Sequence, residues 1–409
     1  MYGPGGAVRG CVERTSVPGM HSARESGTLA GSRMADQSHS HDAPDGADET
    51  PGTPRRVLFL DQGFLKNRKG KPIHGVELFR LLLLPQLLEL GVECTVWFDP
   101  SWRETVRERL GEHALLRVRT TPGLGGTLTN ALWAVGAERA SYDTVVFGDA
   151  RRGMIPAMQL CSTRRLGEES LVFAHRRPHP RLLKLTRKLD YRVLAVSEFV
   201  AERFRKVGRA VDVYYGLPNA QQFFPRDFPR DESGSTKDGV INFCLLGRLP
   251  NISKGHELAI EAYRSLDPVV RERCRLHLAS FIGPTDLGIP GIITHEWIAS
   301  GDVPEFLRSM HVMLTLSSNE TFSQAIVQGM LTGLPIIATP HPVFVEKLDT
   351  GGGVIVDRNA EAISAAMARL AGDAEMRREM GRIARETALE RYVWDTGRFV
   401  REHLFRGSR

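Results

Sequence analysis

The chain has 409 residues, 42% hydrophobic and 25% charged, with a formal net charge of +6, and at ~150 residues per domain it accommodates two domains and an extension. Its longest apolar stretch, Leu78 to Leu90, is interrupted by Arg80, Pro85 and Gln86 and falls short of the ~18 apolar residues of a membrane span; the five cysteines (Cys11, Cys94, Cys161, Cys244, Cys274) have neither metal-ligand nor disulfide-framework spacing, which implies a reducing, cytoplasmic setting. The positive balance suits anionic ligands such as nucleoside diphosphates, while the zinc-finger spacing, RRM-type aromatics and long basic run of a nucleic-acid binder are missing.

Residues 1–54 are rich in Gly, Ser, His, Asp and Pro without an apolar period, so they are expected to form a disordered N-terminal extension with no secretory signal. Met20 or Met34 is an expected alternative start. Order begins at Val57-Leu58-Phe59-Leu60-Asp61, an apolar run that reads as a buried parallel strand. A helix is expected from Gly75 to Leu90, with Pro85 kinking or breaking it and Gly91 stopping it. Val92 to Phe98 then completes a βαβ unit. Further strands are expected at Thr144–Phe147, Leu171–Ala174 and Val193–Val196, giving a doubly wound N-terminal acceptor domain over 55–225.

Residues 226–239 read as a linker, rich in Pro, Arg, Asp, Ser and Gly. A second domain follows over 240–392, with strands expected at Ile241–Leu246, Arg275–Ala279, Val312–Leu316, Leu334–Ala338 and Gly353–Val356. Residues 393–409 read as a C-terminal helix packing back on the first domain. The expected fold class is α/β: two Rossmann-like αβα sandwiches facing a cleft.

Two segments of the second domain stand where ligands bind in open α/β sheets, beyond the carboxyl ends of strands. The first is Gly247-Arg248-Leu249-Pro250-Asn251-Ile252-Ser253-Lys254-Gly255. Glycine lets backbone approach a diphosphate, Arg248 forks onto phosphate oxygens, and Lys254 supplies a point charge. The plain alternative is a strand-to-helix turn with two solvated cations. The second is Ser317-Ser318-Asn319-Glu320-Thr321-Phe322-Ser323-Gln324-Ala325, with a helix expected from Gln324 to Leu331. Its free N–H groups suit phosphate. A carboxylate does not favour facing phosphate, so Glu320 is assigned to sugar hydroxyls, the alternative being a helix cap.

These segments, followed by Gly333-Leu334-Pro335-Ile336-Ile337-Ala338, resemble the C-terminal domain of family four glycosyltransferases. Upstream, His74-Gly75-Val76-Glu77 is similar to the family's Gly-Gly-x-Glu helix start, with His74 in place of the first glycine. Val196-Ser197-Glu198-Phe199 with Gly208 resembles its V-S-x-x segment, Gly216 to Phe223 with Pro225 its interdomain stretch, and Glu375 to Trp394 its closing helices. The resemblance runs from about Val57 to the C-terminus. It implies a GT-B fold and a retaining transfer from a nucleotide-diphosphate sugar to an acceptor hydroxyl, with no metal and no cofactor besides the donor substrate.

By position, the resemblance gives Arg248 and Lys254 the diphosphate, Glu320 the donor sugar, and His175 at a strand end the sugar or acceptor through a neutral imidazole. The alternative for His175 is a histidine packed in place. Gly75, Gly247 and the amides of Thr321, Phe322 and Ser323 complete the donor site; the last three replace the family's Gly-Phe-Gly. The family's second glutamate, which would bond both ribose hydroxyls, is Gln328 here. A charge-assisted bond contributes ~1.5 to 3 kcal/mol and a neutral one ~1, so nucleotide binding is expected to be weakened.

Two basic stretches, Lys66 to Lys71 and Arg176 to Arg192, are candidates for acceptor contact; the second, with Leu182, Leu183 and Leu185 among its cations, is also a candidate for membrane contact, a solvated helix face being the simpler reading. Arginine is used far more than lysine, as in proteins from GC-rich genomes, and this coding style with the variant donor loop suggests specialised metabolism, for example aminoglycoside assembly. The alternatives are a cell-envelope glycolipid or polysaccharide transferase and a non-catalytic binding protein. A sugar-nucleotide epimerase would need an acidic pair that the sequence does not place.

Overall fold

The structure is a computed structural model that describes residues 53–67, 73, 75–123, 126–149, 151–225, 239–247, 252–279, 287–295 and 298–406. The extension 1–52, His74, Lys69 to Lys71, most of the linker, Arg248 and Leu249 to Asn251 lie outside the described residues.

The first sheet contains β1 (Arg56–Leu60), β2 (Glu93–Phe98), β3 (Leu116–Thr120), β4 (Tyr142–Phe147), β5 (Gly167–Ala174), β6 (Arg192–Ala195) and β7 (Val211–Val213), all parallel, in the order β3-β2-β1-β4-β5-β6-β7. The second contains β8 (Ile241–Leu246), β9 (Cys274–Ala279), β10 (Ile292–His295), β11 (Val312–Thr315), β12 (Ile336–Ala338) and β13 (Gly353–Ile355), also parallel, in the order β10-β9-β8-β11-β12-β13. Val57 pairs with Cys94 on one side and Thr144 on the other, so β1 is central and needs apolar side chains on both faces.

Each order reverses once, between β1 and β4 and between β8 and β11. A crevice opens beyond the carboxyl ends of strands at such a switch point. The segments after those four strands begin with Asp61, Gly148, Gly247 and Leu316. Both candidate donor segments therefore flank one crevice.

Helix Gly75–Glu89 runs through Pro85 without interruption, so the expected break does not occur. It ends at Gly91, whose φ of +77° is the left-handed conformation that glycine adopts without penalty. Edge strands β3, β7 and β10 were not expected from the sequence. β3 has three exposed residues among its five, which erases the apolar run that marks a central strand.

The chain passes between the sheets again near its end. The Leu217 N–H donates to the Tyr392 carbonyl (2.8 Å) and the Trp394 N–H to the Leu217 carbonyl (3.3 Å). A Cβ on Gly216 would stand 2.6 Å from that Tyr392 oxygen, so the crossing requires glycine there. Beyond it the chain docks on the first sheet. Trp394 and Phe399 pack on Phe173 (ring centroids 6.0 and 5.9 Å), and the Thr144 hydroxyl donates to the Leu404 carbonyl (2.7 Å).

Candidate active site

A cleft of about 390 Å³ lies beyond the carboxyl ends of both sheets and is lined by residues of both, including Gly75, His175, Gly247, Lys254, Glu320 and Gln328. A larger hollow of about 780 Å³ touches Arg56, Tyr142 and Arg192, at the opening ends of β1, β4 and β6, where open α/β sheets do not bind ligands.

Lys254 reaches the cleft because Gly255 turns the chain sharply. Gly255 has φ +83°, and a Cβ there would meet the Leu316 Cβ at 2.7 Å. This close approach lets the Ser318 N–H donate to the Ser253 carbonyl (2.8 Å). The two candidate donor segments are thereby tied together, and Lys254 Nζ forms an ion pair with Glu320 Oε1. Gly247 packs against the Lys254 stem, 3.2 Å from its Cγ to an added Cβ. Glu320 does not cap the following helix. Its N-cap is Ser323, without a side-chain cap.

Ser323 has φ +62°, a left-handed conformation that costs a non-glycine residue about 1 kcal/mol. The backbone thus keeps a turn for which glycine is the unstrained residue. Phe322, in the same turn, is buried edge-on against Tyr215 of the first domain (4.4 Å). Ser197, which caps helix Glu198–Arg205, also donates from its hydroxyl to the Thr321 carbonyl (2.5 Å). Gly75 meets this wall rather than open space: Gln324 Nε2 donates to its carbonyl (3.1 Å) and to the Tyr215 hydroxyl oxygen (3.1 Å). A Cβ on Gly75 would come within 2.6 Å of Gln324.

Opposite, His175 ends β5 and is 3% exposed, so it is both packed in place and part of the cleft lining. Its N–H donates to Asp149 Oδ1 (2.9 Å), and its Nε2 faces Arg80 Nη2 at 3.0 Å. Arginine has only donors, so Nε2 accepts and the proton resides on Nδ1. Burial first, then the charges of Arg80 and Arg176, hold the imidazole well below its ordinary pKa, and it is neutral. Arg80 also pairs with Asp61 Oδ2 (3.2 Å).

Asp61 and Asp149 follow the adjacent strands β1 and β4. Burial raises the Asp149 carboxyl to about 7, with Asp61 adding to the rise and Arg151 opposing it. Asp61, Arg80, Asp149, Ser197 and Tyr215 were not candidate site residues on the sequence alone. Position after a strand was the available sign for Asp61, whereas the partnership of Asp149 with His175 spans 26 positions and has no local mark. Among the described residues, no group of three or more His, Cys, Asp or Glu is arranged to hold a metal ion, and no helix is long and apolar enough to cross a membrane.

Two doubly wound parallel-sheet domains with a cleft between their switch points define the GT-B class of fold. Solved structures agree: sucrose-phosphate synthase from Thermosynechococcus elongatus matches at TM-score 0.65 with 17% identity, covering 87% of this chain and 100% of that one. A glycosyltransferase from Rickettsia africae matches at 0.67 with 13% identity, covering 87% and 100%. Anabaena HepE, solved with UDP-glucose, matches at 0.60 with 16% identity, covering 83% and 95%. No curated protein matches the sequence. Residues 241–373, in the second domain, match the family model described as glycosyl transferases group 1.

Proposed function

We propose that the protein is a retaining, metal-independent hexosyltransferase that moves a sugar from a nucleotide-diphosphate donor to a hydroxyl of a small acceptor. The observation that carries this reading is the Lys254–Glu320 ion pair, set at the second sheet's switch point and lining the same cleft as neutral His175. HepE binding UDP-glucose supports a donor of this kind here. Lys254, Arg248 and the amides at the start of helix Gln324–Leu331 would take the diphosphate, Glu320 the sugar hydroxyls, and Gln328 the ribose.

In this reading the anomeric C–O bond to the diphosphate breaks as the acceptor oxygen bonds to the anomeric carbon on the same face. The acceptor proton passes to the departing phosphate oxygen. Lys254 and the helix start offset the charge that develops there, the role of a preorganised electrostatic site. His175 holds its Nδ1–H as a donor for a sugar or acceptor oxygen. A cleft of about 390 Å³ is the size of a small-molecule site, which supports a small acceptor; we place the enzyme in the cytoplasm, in specialised metabolism such as aminoglycoside assembly.

A thermal-shift screen against UDP, GDP, dTDP, ADP and their sugars tests the reading, because a ligand of the folded state raises the melting temperature. A shift with one base that persists in EDTA is the expected result. No shift with any of them, or a strict metal requirement, would overturn it.

A further inference from the structure

Lys347 is a lysine at a core position. In helix Pro342–Leu348 the buried residues are Val343, Phe344, Lys347 and Leu348, the i, i+1, i+4, i+5 pattern of a helix's inner face. Its side chain has no exposure, and among the described residues Nζ has no hydrogen-bond partner. What it faces is aromatic: Nζ lies 4.2 Å from the ring centroid of Phe322 and 4.8 Å from that of Tyr392. These two rings belong to the donor turn and to the point where the chain crosses between the sheets. Burial pulls the ammonium down to about 8, while the carboxylates of Glu346 and Glu320 act to raise it.

An unpaired buried ammonium is costly, and replacing a buried charge with an apolar group of similar volume is often neutral or stabilising. A fold that keeps such a group violates a packing rule, and violations of that kind concentrate at functional sites. The cation attracts the faces of both rings. Phe322 cannot shift without losing this contact and its packing on Tyr215, and it carries the Thr321 and Ser323 amides on either side.

We propose that Lys347 is a positioning residue for the donor site: from behind the Glu320–Ser323 turn, its buried ammonium holds the Phe322 ring, and with it the turn, in the geometry that receives the nucleotide diphosphate. The inference rests on the transferase reading above. It assigns the donor pocket a support that does not touch the donor.

The test uses the full chain and the nucleoside diphosphate, among UDP, GDP, dTDP and ADP, that raises the wild-type melting temperature most. Lys347→Met keeps the length of the stem and removes the charge. The expected result is a melting temperature of the free protein equal to or above wild type, with affinity for that diphosphate roughly tenfold weaker by calorimetry. Wild-type affinity in Lys347→Met overturns the inference alone. A fall in melting temperature accompanying weaker binding also overturns it, because Lys347 would then merely hold the fold together. Should Lys347→Met not fold, Phe322→Leu removes the ring and is expected to weaken binding similarly; undiminished affinity overturns the inference. A wild-type chain that binds none of the four overturns the transferase reading and this inference with it.

Discussion

Arg80 donates from Nη2 to Nε2 of His175 across 3.0 Å, and this single bond decides which ring nitrogen of the cleft histidine carries a proton. Arg80 is held in turn by Asp61 and lies over the face of Phe173 at 4.2 Å. The tautomer is therefore set by an arrangement spanning β1, β5 and the first helix. Nitrogen-15 NMR should find His175 neutral and protonated at Nδ1 at pH 6, where an ordinary histidine is mostly charged. Because the folded-state pKa is depressed, the unfolded chain binds the extra proton. Stability is kept in full above about pH 6.5 and declines as pH falls below it toward the lowered value. A protonated His175 at pH 6 would refute the assignment.

Lys254 and Glu320 are 26% and 13% exposed at their side chains; Lys254 ends a single 3-10 turn, Ile252–Lys254, and Glu320 lies on a loop, so neither supports a core. Lys254→Ala and Glu320→Ala should each reduce transfer by at least about 100-fold, the scale of losing a preorganised electrostatic group. Unfolding stability should change by no more than about 1 kcal/mol. Denaturant titration alongside an assay of sugar release checks both halves, and wild-type turnover by either variant would remove these residues from the site.

Ser323 holds a left-handed backbone at the start of helix Gln324–Leu331. Ser323→Gly is predicted to stabilise the fold by up to about 1 kcal/mol, the strain of a non-glycine residue in that region. Added freedom of the unfolded glycine chain works against the gain. Ser323→Val should destabilise it. If the valine variant melts at or above wild type, the turn is not left-handed in solution.

Gln328 lines the cleft from the second turn of helix Gln324–Leu331. Gln328→Glu should strengthen nucleotide binding by about 1 kcal/mol, roughly fivefold, as a neutral hydrogen bond to ribose becomes charge-assisted. Calorimetry reads this directly. Unchanged or weaker affinity would show that residue 328 does not meet the ribose.

The central strands could be read from the chain because burial on both faces of a parallel sheet demands a short continuous apolar run, as in Val57 to Leu60 or Ile241 to Leu246. Edge strands such as Leu116–Thr120 escape that demand, and their residues look like loop. The two candidate donor segments stood out for a related reason: each lies just beyond an apolar run, where open α/β sheets bind ligands. Glu320 and Lys254 could be named singly from that position together with the family resemblance.

Their pairing could not be, since it depends on Gly255 packing against Leu316 and on Ser318 bonding to Ser253. The same is true of Asp149 beneath His175, of Ser197 reaching Thr321, and of Lys347 between two rings that are 70 positions apart. Local propensity and apolar pattern act over one or two turns of chain, which suffices to specify elements and the residues at their ends. Protonation state, tautomer and charge pairing depend on distances between elements and on exclusion of water, and these exist only after the two sheets and the returning C-terminal segment have packed.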